Sequence, residues 1–221
     1  MNTNKKTLFL VQFGILLAVE AIFCFTPLGS LPAVGPIVAT LGMIPVIITA
    51  LLLGTKAGAI MGAFAGLFSL LVWTFTPPSP LVAFVFTPFY TFGEFRGNFG
   101  SLLICFVPRI LVGLVAGLMY TLLSKKLRRA DPPPGRDRVP DTGRTLAYSL
   151  SAALGSLANT FGVMGGIWLF FRDQYASVAG SAILLIIGST ILFSGIPEAI
   201  VSAIAAAAVC KPLKSILSKN A

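Results

Sequence analysis

The chain has 221 residues, of which 56% are hydrophobic and only 10% charged, with a net charge of +9 and a mean hydropathy of +0.93. A water-soluble surface needs roughly 25–35% charged residues, so this composition describes an integral membrane protein and excludes a soluble enzyme, a nucleic-acid-binding domain and a secreted disulfide scaffold. There is no histidine, which removes Ser-His and Cys-His dyads and His-rich zinc sites.

A spanning helix needs roughly 20 mostly apolar residues. The first such run covers residues 7–26 and is ended by Pro27, Gly29 and Pro32. Lys5 and Lys6 precede it, as in a signal peptide, but its length, the internal Glu20 and the lack of a small-x-small cleavage signal favour a retained span. The second run is 36–53, closed by Gly54-Thr55-Lys56, and the third is 57–75, closed by a Pro-rich segment. Residues 77–100 mix aromatics with Pro88, Gly93, Glu94, Arg96 and Asn98, and read as a structured outer loop dipping toward the membrane. The fourth run is 101–123.

Residues 125–144 are charged and hold four prolines, so a solvated loop is expected there. The fifth run is 146–171. Residues 176–210 are apolar for too long to form one simple helix. Ser194-Gly-Ile-Pro-Glu198 reads as a helix start, with Ser194 near the N-cap and Pro197 in the first turn, giving a sixth span over 195–214. Residues 178–193 are then re-entrant, interfacial or a separate helix. The fold class expected is all-α, a single polytopic membrane domain of six spans. Placing both termini in the cytoplasm puts 13 of the 16 basic residues inside, leaving Arg96 and Arg172 outside and Arg109 within a span.

Ionisable groups at membrane depth cost about 2.5 kcal/mol or more each, so Glu20, Arg109 and Glu198 are candidates for function. Arg109 lies about 12 Å into its span at 1.5 Å per residue. It either stitches the bundle by pairing with a glutamate or with loop carbonyls, or holds an acidic solute in a pocket open to the outside. Asn159 and Thr160 are mid-span and either bond across helices or line a cavity. Trp73, Trp168 and Tyr175 form either an interfacial belt or, with Phe84, Phe86, Phe89, Tyr90 and Phe92, a ring around a ligand. Arg96 and Asn98 of the outer loop join the candidate binding set. Gly58, Gly62 and Gly66, and separately Gly14 and Ala18, place small side chains on one helix face, either inside the bundle or against a partner. Cys24, Cys105 and Cys210 fit no metal or redox spacing and read as buried small apolar residues. No catalytic or metal-ligating set is present. No Gly-x-x-x-x-Gly-Lys-Ser/Thr pattern occurs, so any ATP used in transport is bound by another chain.

Several stretches taken in order resemble one family. They are Met43–Gly54, Lys56–Gly66, Pro108-Arg109-Ile-Leu-Val-Gly113, Asn159-Thr160 with the glycines after it, and Ser194-Gly-Ile-Pro-Glu198. The chain resembles the substrate-binding membrane subunit, or S component, of energy-coupling factor (ECF) vitamin transporters, and within it the pantothenate-type members. The resemblance implies six helices and an outward-facing vitamin pocket built by helices four to six and the outer loops. It also implies a complex with a membrane scaffold subunit and two cytoplasmic ATPases, in which the S component topples to release substrate inside. A small-x-x-x-small patch on the first helix would meet the scaffold, and Gly14 and Ala18 match it, with Gly at the first position where Ala is more usual. On this resemblance Arg109 would pair with the pantothenate carboxylate and Asn159 would read its amide, while aromatics cover the dimethyl centre. A neutral vitamin would instead leave Arg109 to pair with Glu198 or Glu20. The alternatives carried alongside are a stand-alone secondary transporter or channel, a membrane enzyme using Glu or Ser alone, and a structural membrane subunit.

Overall fold

A computed structural model of the chain describes residues 3–26, 41–129, 141–179 and 183–219. Helix α1 spans Thr3–Phe25, α2 Met43–Leu53, α3 Thr55–Phe75, α4 Phe99–Arg129 and α5 Asp141–Phe170. Two short helices follow, α6 (Arg172–Ala179) and α7 (Ile183–Thr190), and then α8 (Ile196–Lys219). Among the described residues, five segments are long and apolar enough to cross a membrane: Lys6–Phe25, Thr55–Phe75, Phe99–Leu127, Gly143–Phe170 and Ile187–Leu213. The protein is all-α and polytopic. The second expected span begins at residue 36, but residues 36–40 lie outside the described residues, as does most of the basic loop 125–144. The described part of that span, α2, has 11 residues.

α2 is the centre of the bundle. Met43 and Pro45–Leu51 are all buried, as suits a helix that is apolar all round. The Thr49 hydroxyl donates to the Pro45 carbonyl at 2.7 Å, so this polar group carries its own partner into the core. A single residue, Gly54, joins α2 to α3 at φ +100°, a conformation that favours glycine. α3 packs along α4, α4 along α5 and α5 along α8, while α1 rests on α2 and α3 at the periphery.

The glycine stripe of α3 lies inside the bundle. A Cβ at Gly58 would collide with Ala50 and Gly113, one at Gly62 with the Arg109 backbone, and one at Gly66 with Phe106. Gly113 and Gly117 of α4 meet Gly58 and Thr55 in the same way. Small residues on both helices let the two backbones touch. By contrast, Gly14 has nothing within 4 Å of a Cβ position, and both Gly14 and Ala18 are exposed.

Between α3 and α4 the chain makes no membrane-length helix. A 3-10 turn, Pro80–Val85, buries Val82, Ala83, Phe84 and Val85. A two-stranded hairpin follows, β1 (Thr91–Phe92) pairing antiparallel with β2 (Phe95–Arg96). Gly93, at φ +60°, takes the first central position of its two-residue turn. Asn98 caps α4: its Oδ1 accepts the Gly100 N–H at 2.7 Å, and its own N–H donates to Ser101 Oγ at 3.1 Å. The Ser101 hydroxyl in turn donates to the Phe84 carbonyl at 2.7 Å, fastening the loop to the helix start.

One expectation is corrected. Ser194-Gly-Ile-Pro-Glu198 does not begin a helix. α7 runs through a π-helical turn, Ile191–Gly195, straight into α8, and the Ile196 N–H donates to the Ile191 carbonyl five residues back. The cause is Pro197. It has no N–H for the carbonyl four residues earlier, and its ring crowds that carbonyl. Widening the turn just before it relieves the clash without ending the helix.

Candidate functional site

Arg109 sits ten residues into α4, about 15 Å from its start at 1.5 Å per residue, and is 6% exposed. Pro108 precedes it. With no N–H at 108, the Ile104 carbonyl lacks its usual intrahelical donor, and Arg109 Nη1 donates to that oxygen at 2.8 Å. Arg109 Nη2 donates to Ser69 Oγ of α3 at 3.3 Å, and Nε has no partner among the described residues. The guanidinium carbon lies 5.6 Å from the centroid of the Phe86 ring, within range of a cation–π attraction. Phe86 stacks on Trp73 with centroids 4.4 Å apart. Cation, phenyl and indole therefore form one continuous wall.

Two carboxyls are also buried in the bundle. Glu20 of α1 is 0% exposed and Glu198 of α8 is 5% exposed. Cys24 donates to Glu20 Oε1 at 3.3 Å, while Glu20 Oε2 and Glu198 Oε1 have no hydrogen-bond partner among the described residues. Neither comes within the 4.0 Å of an ion pair with Arg109; among the described residues the only such pair is the exposed Arg172–Asp173. Neither of the intramolecular pairings considered from sequence forms.

Asn159, 7% exposed, leaves its Oδ1 unpartnered. It shares a face of α5 with Ser156, whose hydroxyl is likewise buried and unpartnered. On α8, Ser202 lies one turn beyond Glu198 and is unpartnered too. Gly195 packs against Thr160, which fixes the register of the two helices and sets Asn159 and Glu198 on adjoining turns. Buried polar atoms are normally satisfied. The unpartnered Asn159 Oδ1 and Glu198 Oε1 are acceptors suited to the N–H or O–H groups of a polar molecule, while Arg109, with no ion pair among the described residues, is the group suited to an anionic one.

The other candidates divide. Phe84, fully buried, packs on Phe95 and Phe171 beneath the loop, and Tyr90 is half-buried against the same cluster. Tyr175 of α6 is 0% exposed with its hydroxyl unpartnered, and burial pushes its phenol well above the ordinary value. Arg96 and Asn98 are exposed on and beside the hairpin, and Asn98 is engaged as a cap. Trp168 is 48% exposed on the outward face of α5 beside Leu169 and is not brought to the others. Sequence reasoning passed over Ser69, Ser156 and Ser202. Ser69 had a readable signal: it is three residues beyond Gly66 and continues the stripe that faces α4.

Ionisable groups buried inside a bundle of membrane-length helices are the mark of a membrane protein with a functional polar interior. Residues 8–213 match the family described as ECF transporter, substrate-specific component, and the chain belongs to that family. It is similar to the pantothenic acid transporter PanT of Lactococcus lactis subsp. cremoris, 29% identical over 181 residues that cover 80% of this chain and 79% of that protein. It is also similar to the pantothenate transporter PanT of Leuconostoc mesenteroides subsp. mesenteroides, 29% identical over 208 residues, 89% of this chain and 78% of that one. The fold is shared with the S component for biotin of an ECF-type ABC transporter, with a TM-score of 0.60 at 19% identity, covering 97% of this chain and 95% of that one. It is shared as well with ThiT from Listeria monocytogenes, with a TM-score of 0.57 at 16% identity, covering 94% and 97%.

Proposed function

We propose that this substrate-specific component captures pantothenate. The observation that carries the reading is Arg109, a buried guanidinium with free N–H groups and, among the described residues, no carboxylate in ion-pair range. Leaving a buried charge unpaired costs several kcal/mol, and a ligand carboxylate taking a bidentate pair would offset that cost. Pantothenate has one carboxylate, an amide, two hydroxyls and a compact dimethyl centre. Asn159 suits the amide, Glu198 accepts from a hydroxyl, and the Trp73–Phe86 wall covers the apolar centre, with Tyr90 closing it from the loop. The names of the two PanT relatives support the same cargo.

In this reading the chain works with a membrane scaffold subunit and two ATPases, which bind the ATP; it holds no cofactor itself. The exposed Gly14 and Ala18 of α1 offer a smooth face for the scaffold. The protein lies in the cell membrane with both termini cytoplasmic, where the basic segments are retained.

Thermal unfolding of the purified chain in detergent, against a panel of water-soluble vitamins and precursors, tests the cargo. A ligand that binds only the folded state adds RT ln(1 + [L]/Kd), about 2.7 kcal/mol at 100 Kd. Pantothenate is expected to raise the melting temperature well above every other compound. A larger shift with another vitamin, or none with pantothenate, overturns the assignment.

A further inference from the structure

Pro108 lies in the interior of α4, a position where proline is ordinarily destabilising because it deletes a hydrogen bond and crowds a carbonyl. That carbonyl belongs to Ile104, and Arg109 Nη1 occupies it at 2.8 Å. The second tether, Ser69 Oγ to Nη2 at 3.3 Å, comes from the neighbouring helix. These contacts draw on two of the five guanidinium N–H groups. They turn the side chain back along its own helix, beneath the Phe86 ring. The proline ring rests against Gly162 of α5, where a Cβ would stand 3.0 Å from it, so the bundle accepts the ring without loss of packing.

We infer that Pro108 and Ser69 are positioning residues for Arg109 that set the selectivity of the site for a carboxylate. Proline frees the acceptor, the guanidinium takes it, and serine holds the other end. A long side chain that would otherwise sample many rotamers is thereby ordered before the ligand arrives, which lowers the cost of binding. The unpartnered Nε and the remaining N–H groups are left for the ligand. Restoring an N–H at 108 returns the Ile104 oxygen to the helix ladder and loosens the guanidinium.

This inference rests on the reading of Arg109 as the carboxylate contact, and the experiment separates the two. Calorimetry on the purified chain compares pantothenate with its alcohol analogue, in which a hydroxymethyl group replaces the carboxylate, for wild type, Arg109→Ala, Pro108→Ala and Ser69→Ala. Pro108→Ala is expected to weaken pantothenate about tenfold, and Ser69→Ala about threefold, with the alcohol unchanged in both and the ligand-free melting temperature of Pro108→Ala equal or higher. Wild-type pantothenate affinity in both tether variants overturns the positioning role, as does an equal loss for both ligands, which marks a packing defect. Unchanged affinity in Arg109→Ala overturns the carboxylate contact itself. If Pro108→Ala does not fold, Ser69→Ala decides: loss confined to pantothenate supports the inference, and no loss overturns it.

Discussion

The α3–α4 and α5–α8 seams are built on opposite plans. Along α3–α4, glycines on both helices bring backbone against backbone, and a Cβ at Gly58, Gly62 or Gly113 would meet main chain of the facing helix. Along α5–α8 the helices carry Ser156, Asn159, Glu198 and Ser202, each with a buried polar atom that has no protein partner among the described residues, and a π turn interrupts the regular ladder. The first seam has no freedom and the second has unmet demand. Arg109 stands between them, its backbone pinned by Gly62 and its helix shared by α3 and α5. A rigid seam that fixes the cation and a polar seam left incomplete is a sound division of labour for a binding protein, because a site satisfied by its own protein has little to offer a ligand.

Overpacking the rigid seam should have the largest effect. Gly62→Leu places a side chain into the Arg109 backbone and is expected to cost about 3 kcal/mol, seen as loss of the folded species in size-exclusion chromatography and thermal unfolding. Arg109→Ala adds no bulk to that seam and should lower pantothenate affinity at least about a hundredfold, ~2.7 kcal/mol. Asn98→Ala removes the α4 cap far from both seams and should cost about 1 kcal/mol of stability while leaving the ligand specificity unaltered. Ser202→Ala tests the incomplete seam: deleting a buried hydroxyl without a partner should raise ligand-free stability slightly, by about 0.5 kcal/mol, seen as a higher melting temperature, where the same change at a satisfied hydroxyl would lower it. Trp168→Ala, on the outward face, should leave affinity within error.

The positions of the long helices and of the three ionisable groups were legible in sequence because each is a strong local signal: an apolar run of bilayer length, or a charge where lipid should be. The inward glycine stripe was visible as spacing, but which helix it faced depends on packing that spacing does not encode. The helix start expected at Ser194 failed because proline carries two meanings. It serves as a first-turn residue and also as an interior residue that a π turn can accommodate, and Pro197 is the second. Pro108 lies in the interior of the fourth run. Its consequence, a free carbonyl at Ile104 for Arg109 to take, follows from the backbone ladder alone, whereas the Ser69 contact required the α3–α4 register. Trp168 and Tyr175 were paired as boundary aromatics, yet one faces outward and the other is fully buried, a difference set by the turn from α5 into α6.

Arg109 is the group on which carboxylate recognition turns. The most direct measurement is calorimetric titration of the purified wild-type chain and of Arg109→Ala with pantothenate and with its alcohol analogue. The wild type is expected to prefer pantothenate at least about a hundredfold and the variant to lose that preference, while the alcohol binds both equally. Equal affinity for the two ligands in the wild type, or a preference that survives the loss of Arg109, would contradict this expectation.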